Sequence, residues 1–270
     1  MCRHAFRRAS LDMRHGTLFR VSQHRKGTEL SRWLGLARSL VIYHNPVSMR
    51  AWRRFYASIL SPGDVAIDVG AHVGTRTRAM RRAGAQVVAV EPQALFAWYL
   101  RRTLPRDVTV VEAAVGGATT EARIAISSRH PTVSSLQTGF VDGAAAAPGF
   151  EHVRWDRTET VRMVTLDSLA ARHGTPAYVK IDVEGYEIEV LSGLSQPVRM
   201  VSVEYLPGFA DLTERVVARL EALGLCRFNV VVGEDARFLW PDWRDGAGLR
   251  DWLASLPADA ASGDIFARRP

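Results

Sequence analysis

From Asp64 onward, short runs of consecutive apolar residues alternate with longer segments in which apolar positions recur every three or four residues. Val65–Val69, Val87–Val90, Val108–Val111, Tyr178–Val183, Val198–Tyr205 and Leu225–Val232 are mostly apolar, the pattern of strands buried on both faces. Ile265–Ala267 adds a seventh strand, expected at the edge of the sheet. Between the strands the spacing predicts helices. One covers Thr75–Ala83 and stops at Gly84, a left-handed C-cap. Another follows Pro92 through Ala94, Phe96, Ala97, Tyr99 and Leu100. Further helices cover Asp167–Arg172, ended by Gly174, and Tyr186–Leu194. A last one carries Val216, Val217, Leu220 and Leu223 behind Asp211-Leu212-Thr213-Glu214, which has capping-box spacing. Alternation of this kind predicts an α/β domain: a mostly parallel seven-stranded sheet with helices on both faces.

Two regions break the alternation. Residues 1–60 read as a basic helical extension or cap, in which Leu30, Trp33, Leu34, Leu36, Ala37, Leu40 and Val41 repeat at helical spacing. Asn45-Pro46 interrupts that repeat, and Trp52, Phe55, Tyr56, Ile59 and Leu60 resume it. Residues 61–270 form the main domain, with a long insertion around 120–165. There Ala122–Ile126 and Thr160–Thr165 read as paired strands. The connection from about Ser127 to Glu159 is rich in Ala, Gly, Ser and Pro, and its length suits a substrate loop. Its polar side chains with Phe140, Phe150 and Trp155 make a mixture that suits a hydroxylated acceptor with an apolar portion, while His130 and His152 read as exposed loop histidines, with substrate contact the alternative.

Charge changes this picture at one end only. The chain has 270 residues and a net charge of +7, yet residues 1–60 alone hold twelve Arg or Lys against Asp12 and Glu29. A helical cap with a solvated basic face is the plain reading of that segment. Peripheral contact with an anionic membrane, or with RNA, is the alternative. Lysine is nearly absent, with Lys26 and Lys180 its only occurrences, which draws attention to Lys180. Cys2 and Cys226 supply neither a disulfide framework nor a zinc cluster, and Cys226 reads as a buried structural thiol. No run approaches the length of a membrane span, and the N-terminus lacks a secretory pattern, so a reducing cytoplasm is the expected compartment.

Two segments carry candidate chemistry. The strand Val65–Val69 runs into Asp68-Val69-Gly70-Ala71-His72-Val73-Gly74, and the next strand ends in Glu91. A glycine turn beside a carboxylate at the carboxyl edge of a parallel sheet is the usual setting of a nucleoside site. The third glycine of a dinucleotide fingerprint is missing, and Asp68 would repel a pyrophosphate. The same Asp68 suits an ammonium group. Gly70 and Gly74 let the backbone approach a ligand, and Glu91 suits two ribose hydroxyls. S-adenosylmethionine has these groups and no phosphate, so it is the expected cofactor. Glu112-Ala113-Ala114-Val115-Gly116 follows the third strand, where Ala114 leaves room for the adenine.

The second segment is Lys180-Ile181-Asp182-Val183-Glu184-Gly185-Tyr186-Glu187. Together with Asp68–His72, Val90–Pro92, Ala114–Gly116 and Thr165–Leu169, it resembles the FkbM family of S-adenosylmethionine-dependent methyltransferases over about residues 60–232. The resemblance implies a class I methyltransferase (Rossmann-like) fold and transfer mainly to oxygen of small molecules or sugars. One departure is His72, where the family usually has Asn; its titration is expected to make cofactor binding pH-sensitive.

A protonated hydroxyl is a poor nucleophile, so the site needs a base or metal. Asp182 is the first candidate for base or substrate orienter and Glu184 the second, with Lys180 holding the acids or a substrate oxygen. Glu187 reads as structural. Asp182, Glu184 and Glu204 also offer hard oxygen ligands, so Mg²⁺ is an option that no HExxH or His/Cys cluster compels. The expected acceptor is a hydroxylated small molecule, sugar or glycolipid, not nucleic acid. RNA methylation and a noncatalytic cofactor-binding module are the alternatives.

Overall fold

The computed structural model describes residues 33–42, 45–127, 136, 155–257 and 259–270. Residues 1–32 and most of the Ser127–Glu159 connection, with His130, Phe140, Phe150 and His152, lie outside the described residues. The strands in chain order are β1 (Val65–Val69), β2 (Gln86–Val90), β3 (Thr109–Val111), β4 (Ala114–Val115), β5 (Thr120–Ile126), β6 (Arg157–Val164), β7 (Tyr178–Ile181), β8 (Met200–Tyr205), β9 (Arg227–Val232) and β10 (Gly263–Arg268). Seven form the main sheet in the order β3-β2-β1-β7-β8-β10-β9. Every pair is parallel except those made by β10, which runs antiparallel to β8 and β9. This is the class I methyltransferase arrangement. β10 is therefore an interior strand, not the edge strand expected from its place at the end of the sequence. Its residues Ile265, Phe266 and Ala267 are fully buried, which no edge position would allow.

The insertion makes a separate three-stranded sheet, β4-β6-β5, with β5 and β6 antiparallel from Thr120↔Met163 to Ile126↔Arg157. It buries Ile124, Ile126, Val161 and Met163 against Ala114. The paired strands read from the sequence thus form, and they back the cavity described below.

Helix limits follow local chemistry. Asn45 caps the helix Pro46–Ile59 by accepting from the Val47 amide, and Pro46 occupies the first turn, where a missing N–H costs nothing. That helix buries Trp52, Phe55 and Tyr56 against the main sheet; Phe55 meets Phe266 at 5.3 Å and Tyr56 meets Tyr178 at 5.8 Å between ring centroids. Thr165 and Ser168 form a capping box on Leu166–His173. The box expected at Asp211–Glu214 does not form: a 3-10 turn at Pro207–Phe209 runs straight into the helix Ala210–Ala222, so these residues already lie inside it. Cys226 is half-buried, not the buried thiol expected.

The chain leaves β3 at one side of the sheet and re-enters through β7 on the other side of β1. The carboxyl ends of β1 and β7 therefore open a crevice at a topological switch point. Both informative segments begin there.

Candidate functional site

β1 ends in a turn that packing and hydrogen bonds hold closed. Gly70 and Ala71 both donate to the Val90 carbonyl, at 3.0 and 3.1 Å, drawing the turn over the end of β2. Gly70, His72 and Gly74 all have left-handed φ, at 79°, 49° and 75°. A side chain at Gly70 would collide with the Asp182 carbonyl oxygen, and one at Gly74 would come within 2.7 Å of Leu100. Both glycines answer to the protein's own packing. Gly74 caps the helix Thr75–Arg82 and is not part of the cavity wall.

Glu91 is almost fully buried, and its two oxygens accept from the backbone amides of His72 and Gln93, each at 2.9 Å. Burial pushes its pKa up to about 7, and the two amides only partly oppose that. His72 packs on Phe96 at 4.6 Å, and burial pushes its pKa down to about 4. His72 is thus neutral across the physiological range. The pH-sensitive group of this turn is Glu91, which corrects the expectation placed on His72. Asp68 is also buried; Thr77 donates to its Oδ2 at 2.5 Å, while Oδ1 has no partner among the described residues. Burial raises its pKa despite the nearby Lys180.

β7 delivers the second segment. Lys180 is buried, and its Nζ donates to Asp182 Oδ2 at 2.8 Å. Burial would depress the Lys180 pKa, but Asp182, Asp68 and Asp264 outweigh it and keep the ammonium charged. Burial would likewise raise Asp182, but Lys180 wins and holds it below the usual carboxylate range. Asp182 exposes 40% of its side chain at the crevice. The chain then turns through Glu184, at φ 54°, and Gly185, whose amide is held by Glu187 Oε1 at 3.0 Å. His72 and Glu184 are the only non-glycine residues of positive φ among the described residues. Such strain gathers where geometry is demanded by function.

Glu204 arrives from the end of β8. One oxygen each from Asp182, Glu184 and Glu204 lie within 4.8 Å of one another, a set that could hold a divalent cation. Burial, followed by the neighbouring carboxylates, raises Glu184 and Glu204 well above ordinary values. Sequence reasoning missed Arg76 and Glu234, which carry no local signal. Arg76 lies over Trp52 with its guanidinium carbon 3.2 Å from the ring centroid, and pairs with Glu234 at 3.0 Å.

A cavity of about 290 Å³ joins these parts. Asp68, Gly70, His72, Glu91 and Ala114 line it together with Lys180, Asp182 and Glu184, so of the nine residues expected to bind the cofactor or act in catalysis only Gly74 stands outside its wall. Arg76, Glu204 and Glu234 complete one end.

The methyltransferase FkbM domain matches residues 68–259 of the chain. Similar solved structures include an O-methyltransferase from Bacillus cereus in complex with SAH, at 12% identity and a TM-score of 0.47, covering 90% of each chain. A TehB-like SAM-dependent methyltransferase from Corynebacterium glutamicum shows 11% identity and a TM-score of 0.46, covering 92% of this chain and 100% of its own. Magnesium protoporphyrin IX methyltransferase from Synechocystis PCC 6803 shows 12% identity and a TM-score of 0.44, covering 97% of this chain and 100% of its own. No curated protein matches the chain significantly.

Proposed function

Because the chain belongs to the FkbM family of S-adenosylmethionine-dependent methyltransferases, we propose that it transfers the methyl group to a hydroxyl oxygen of a small molecule or sugar-containing metabolite. The observation that carries this reading is the Lys180–Asp182 ion pair set into the same cavity as Glu91 and the glycine turn. It supports the reading because it sets a charged hydrogen-bond acceptor in the cavity that Glu91 and the glycine turn also line.

The residues present fit the cofactor. Asp68 Oδ1, buried and without a partner among the described residues, suits its ammonium group, and Glu91 its ribose hydroxyls. Ala114, on β4, leaves space for the adenine. When bound, S-adenosylmethionine supplies a methyl group already activated on a sulfonium. The protein then has to align the oxygen and dispose of its proton. Lys180 keeps Asp182 ionised among other carboxylates, so Asp182 accepts from the hydroxyl and orients its lone pair. As the oxygen–carbon bond forms, the hydroxyl proton passes to Asp182. Glu184 and Glu204, whose pKa values lie higher, already hold their own protons, so Asp182, with 40% of its side chain exposed at the crevice, passes the proton to solvent. The cofactor would supply the methyl group, and the part left to the protein is to hold the hydroxyl oxygen and carry its proton away on Asp182.

The acceptor is best sought without preselection. Labelled S-adenosylmethionine is incubated with small-molecule, glycolipid and RNA fractions, and the methylated position is located by mass spectrometry. O-methylation in a small-molecule or glycolipid fraction supports the reading. Label confined to RNA, or cofactor binding with no transfer to any fraction, sinks it.

A further inference from the structure

Seven large apolar side chains are strongly exposed among the described residues, and five of them fall between positions 33 and 47: Trp33, Leu34, Val41, Ile42 and Val47. A sixth, Trp98, meets Trp33 edge-on at 5.6 Å, so the patch continues onto the helix Ala94–Thr103. The helical stretch 33–42 is apolar on two sides. Leu36 is buried against Val73 and Phe96, while Leu34 and Val41, one face round, point to solvent at 60% and 85% exposure. A helix needs only one apolar face to pack on its own domain, so the second face marks a surface that something else covers.

The charge around the patch selects what covers it. Residues 33–60 contain Arg38, Arg50, Arg53 and Arg54 and no Asp or Glu. Val47, Arg50 and Arg54 share a helix face by their spacing, and Arg102 lies over Trp98 at 5.1 Å. A second copy of the chain would bring arginine against arginine. Residues 1–32 would do the same, because they hold eight basic residues against two acids. A nucleic acid would satisfy the arginines but leave Leu34, Val41, Ile42 and Val47 in water. Aliphatic and tryptophan side chains bordered by arginines are what an anionic bilayer interface accommodates. No helix among the described residues is long and apolar enough to cross a membrane, so the fitting mode is lying on it.

We propose that this face docks the protein on an anionic lipid surface, with residues 33–42 lying in the headgroup layer. Val73, directly beneath Leu36, lines the cavity, and Phe96 supports His72 on its wall. The docked face is one side-chain layer from the cofactor end of the site. This docking goes beyond the methyl-transfer reading and does not depend on it.

The test is co-sedimentation of the full chain with vesicles of phosphatidylcholine alone and of phosphatidylcholine mixed equally with phosphatidylglycerol. The mixed vesicles are expected to bind at least about tenfold better, with salt weakening the difference. Replacing Leu34, Val41 and Ile42 together by serine should cut binding by about tenfold while thermal stability and S-adenosylhomocysteine affinity stay unchanged. Arg50→Glu with Arg54→Glu should abolish the preference for the anionic vesicles. Equal or absent binding to both vesicles overturns the proposal. So does a concentration-dependent dimer that the serine variant dissolves, or RNA binding that it leaves intact while vesicles are ignored.

Discussion

Gly70 and Asp182 are in backbone contact: a side chain on Gly70 would strike the Asp182 carbonyl, and the Asp182 amide donates to Val69 at 3.2 Å. The glycine turn and the acidic segment are therefore one unit, although more than a hundred residues of sequence separate them. Gly70→Ala should lose the left-handed allowance, about 1–2 kcal/mol, and also push β7's end away. Gly63 is the control, since it has φ 87° and no atom within reach of an added side chain. We expect Gly63→Ala to cost about 1 kcal/mol in denaturant melts, and Gly70→Ala clearly more, with S-adenosylhomocysteine affinity lost as well. Equal costs would dissolve the coupling.

Glu91 should make cofactor affinity pH-dependent. With its pKa near 7, it becomes a full carboxylate only above neutrality, and the charged form is the better acceptor for ribose hydroxyls. S-adenosylhomocysteine affinity is expected to rise as pH passes through about 7, and the rise should vanish in Glu91→Gln. Glu91→Ala should weaken binding more than about tenfold, or roughly 1.4 kcal/mol. A pH profile that survives Glu91→Gln points to another group.

The ligand-free protein should show the opposite slope. Glu91 and Glu187 both rise from an ordinary 4.5 to about 7 on folding, chiefly through burial. The folded state therefore binds their protons more tightly than the unfolded state. Their stabilising contribution is complete below about pH 4.5 and is lost as pH climbs to about 7. Thermal midpoints measured across that window should fall with pH, less steeply in Glu187→Gln.

The strands were legible because they are apolar runs, and the carboxyl-edge site because its residues directly follow three of those runs. Glu204 was legible as well, at the end of the strand after Asp182, and the pairing of Ile181 with Val203 sets the two level across the sheet. What escaped depends on the order in which distant segments meet. β10 inserts between β8 and β9, and no local pattern reports that. The His72 environment was equally hidden: a histidine in sequence has an ordinary pKa, and here burial against Phe96 and the surrounding wall lowers it, with Asp182 and Lys180 acting in opposite directions behind that.

Asp182→Asn should retain S-adenosylhomocysteine binding while turnover of the true acceptor falls by about 10²-fold or more. Lys180→Met should lower turnover too, because Asp182 would then be drawn toward neutrality by burial and neighbouring acids. A pH–rate profile separates the two variants: only Lys180→Met should move the acid limb upward. Unchanged turnover in a folded Asp182→Asn protein removes it from the role of base.

Metal removal tests the carboxylate triad directly. Lys180 already gives Asp182 a fixed positive partner, so turnover is expected to persist after EDTA treatment and exhaustive dialysis. Loss of activity that Mg²⁺ restores, with cofactor affinity unchanged, would instead assign Asp182, Glu184 and Glu204 to a cation.

Arg76 ties three parts of the chain together at the other end of the cavity. Its guanidinium covers the fully buried Trp52 ring, and Glu234 receives both Arg76 Nη2, at 3.0 Å, and the Trp52 indole N–H, at 3.3 Å. The two contacts differ in worth. Glu234 is 64% exposed, so its ion pair should contribute less than about 1 kcal/mol. The Arg76 side chain is only 12% exposed, and a desolvated cation–π contact can contribute about 2 kcal/mol. Glu234→Gln should therefore be nearly neutral in denaturant melts, whereas Arg76→Met should lose about 2 kcal/mol. Because Arg76 sits in the first turn after Gly74, its loss should also loosen the glycine turn and weaken S-adenosylhomocysteine binding. If Glu234→Gln costs as much as Arg76→Met, the exposed ion pair is the real fastening and Trp52 merely fills space beneath it.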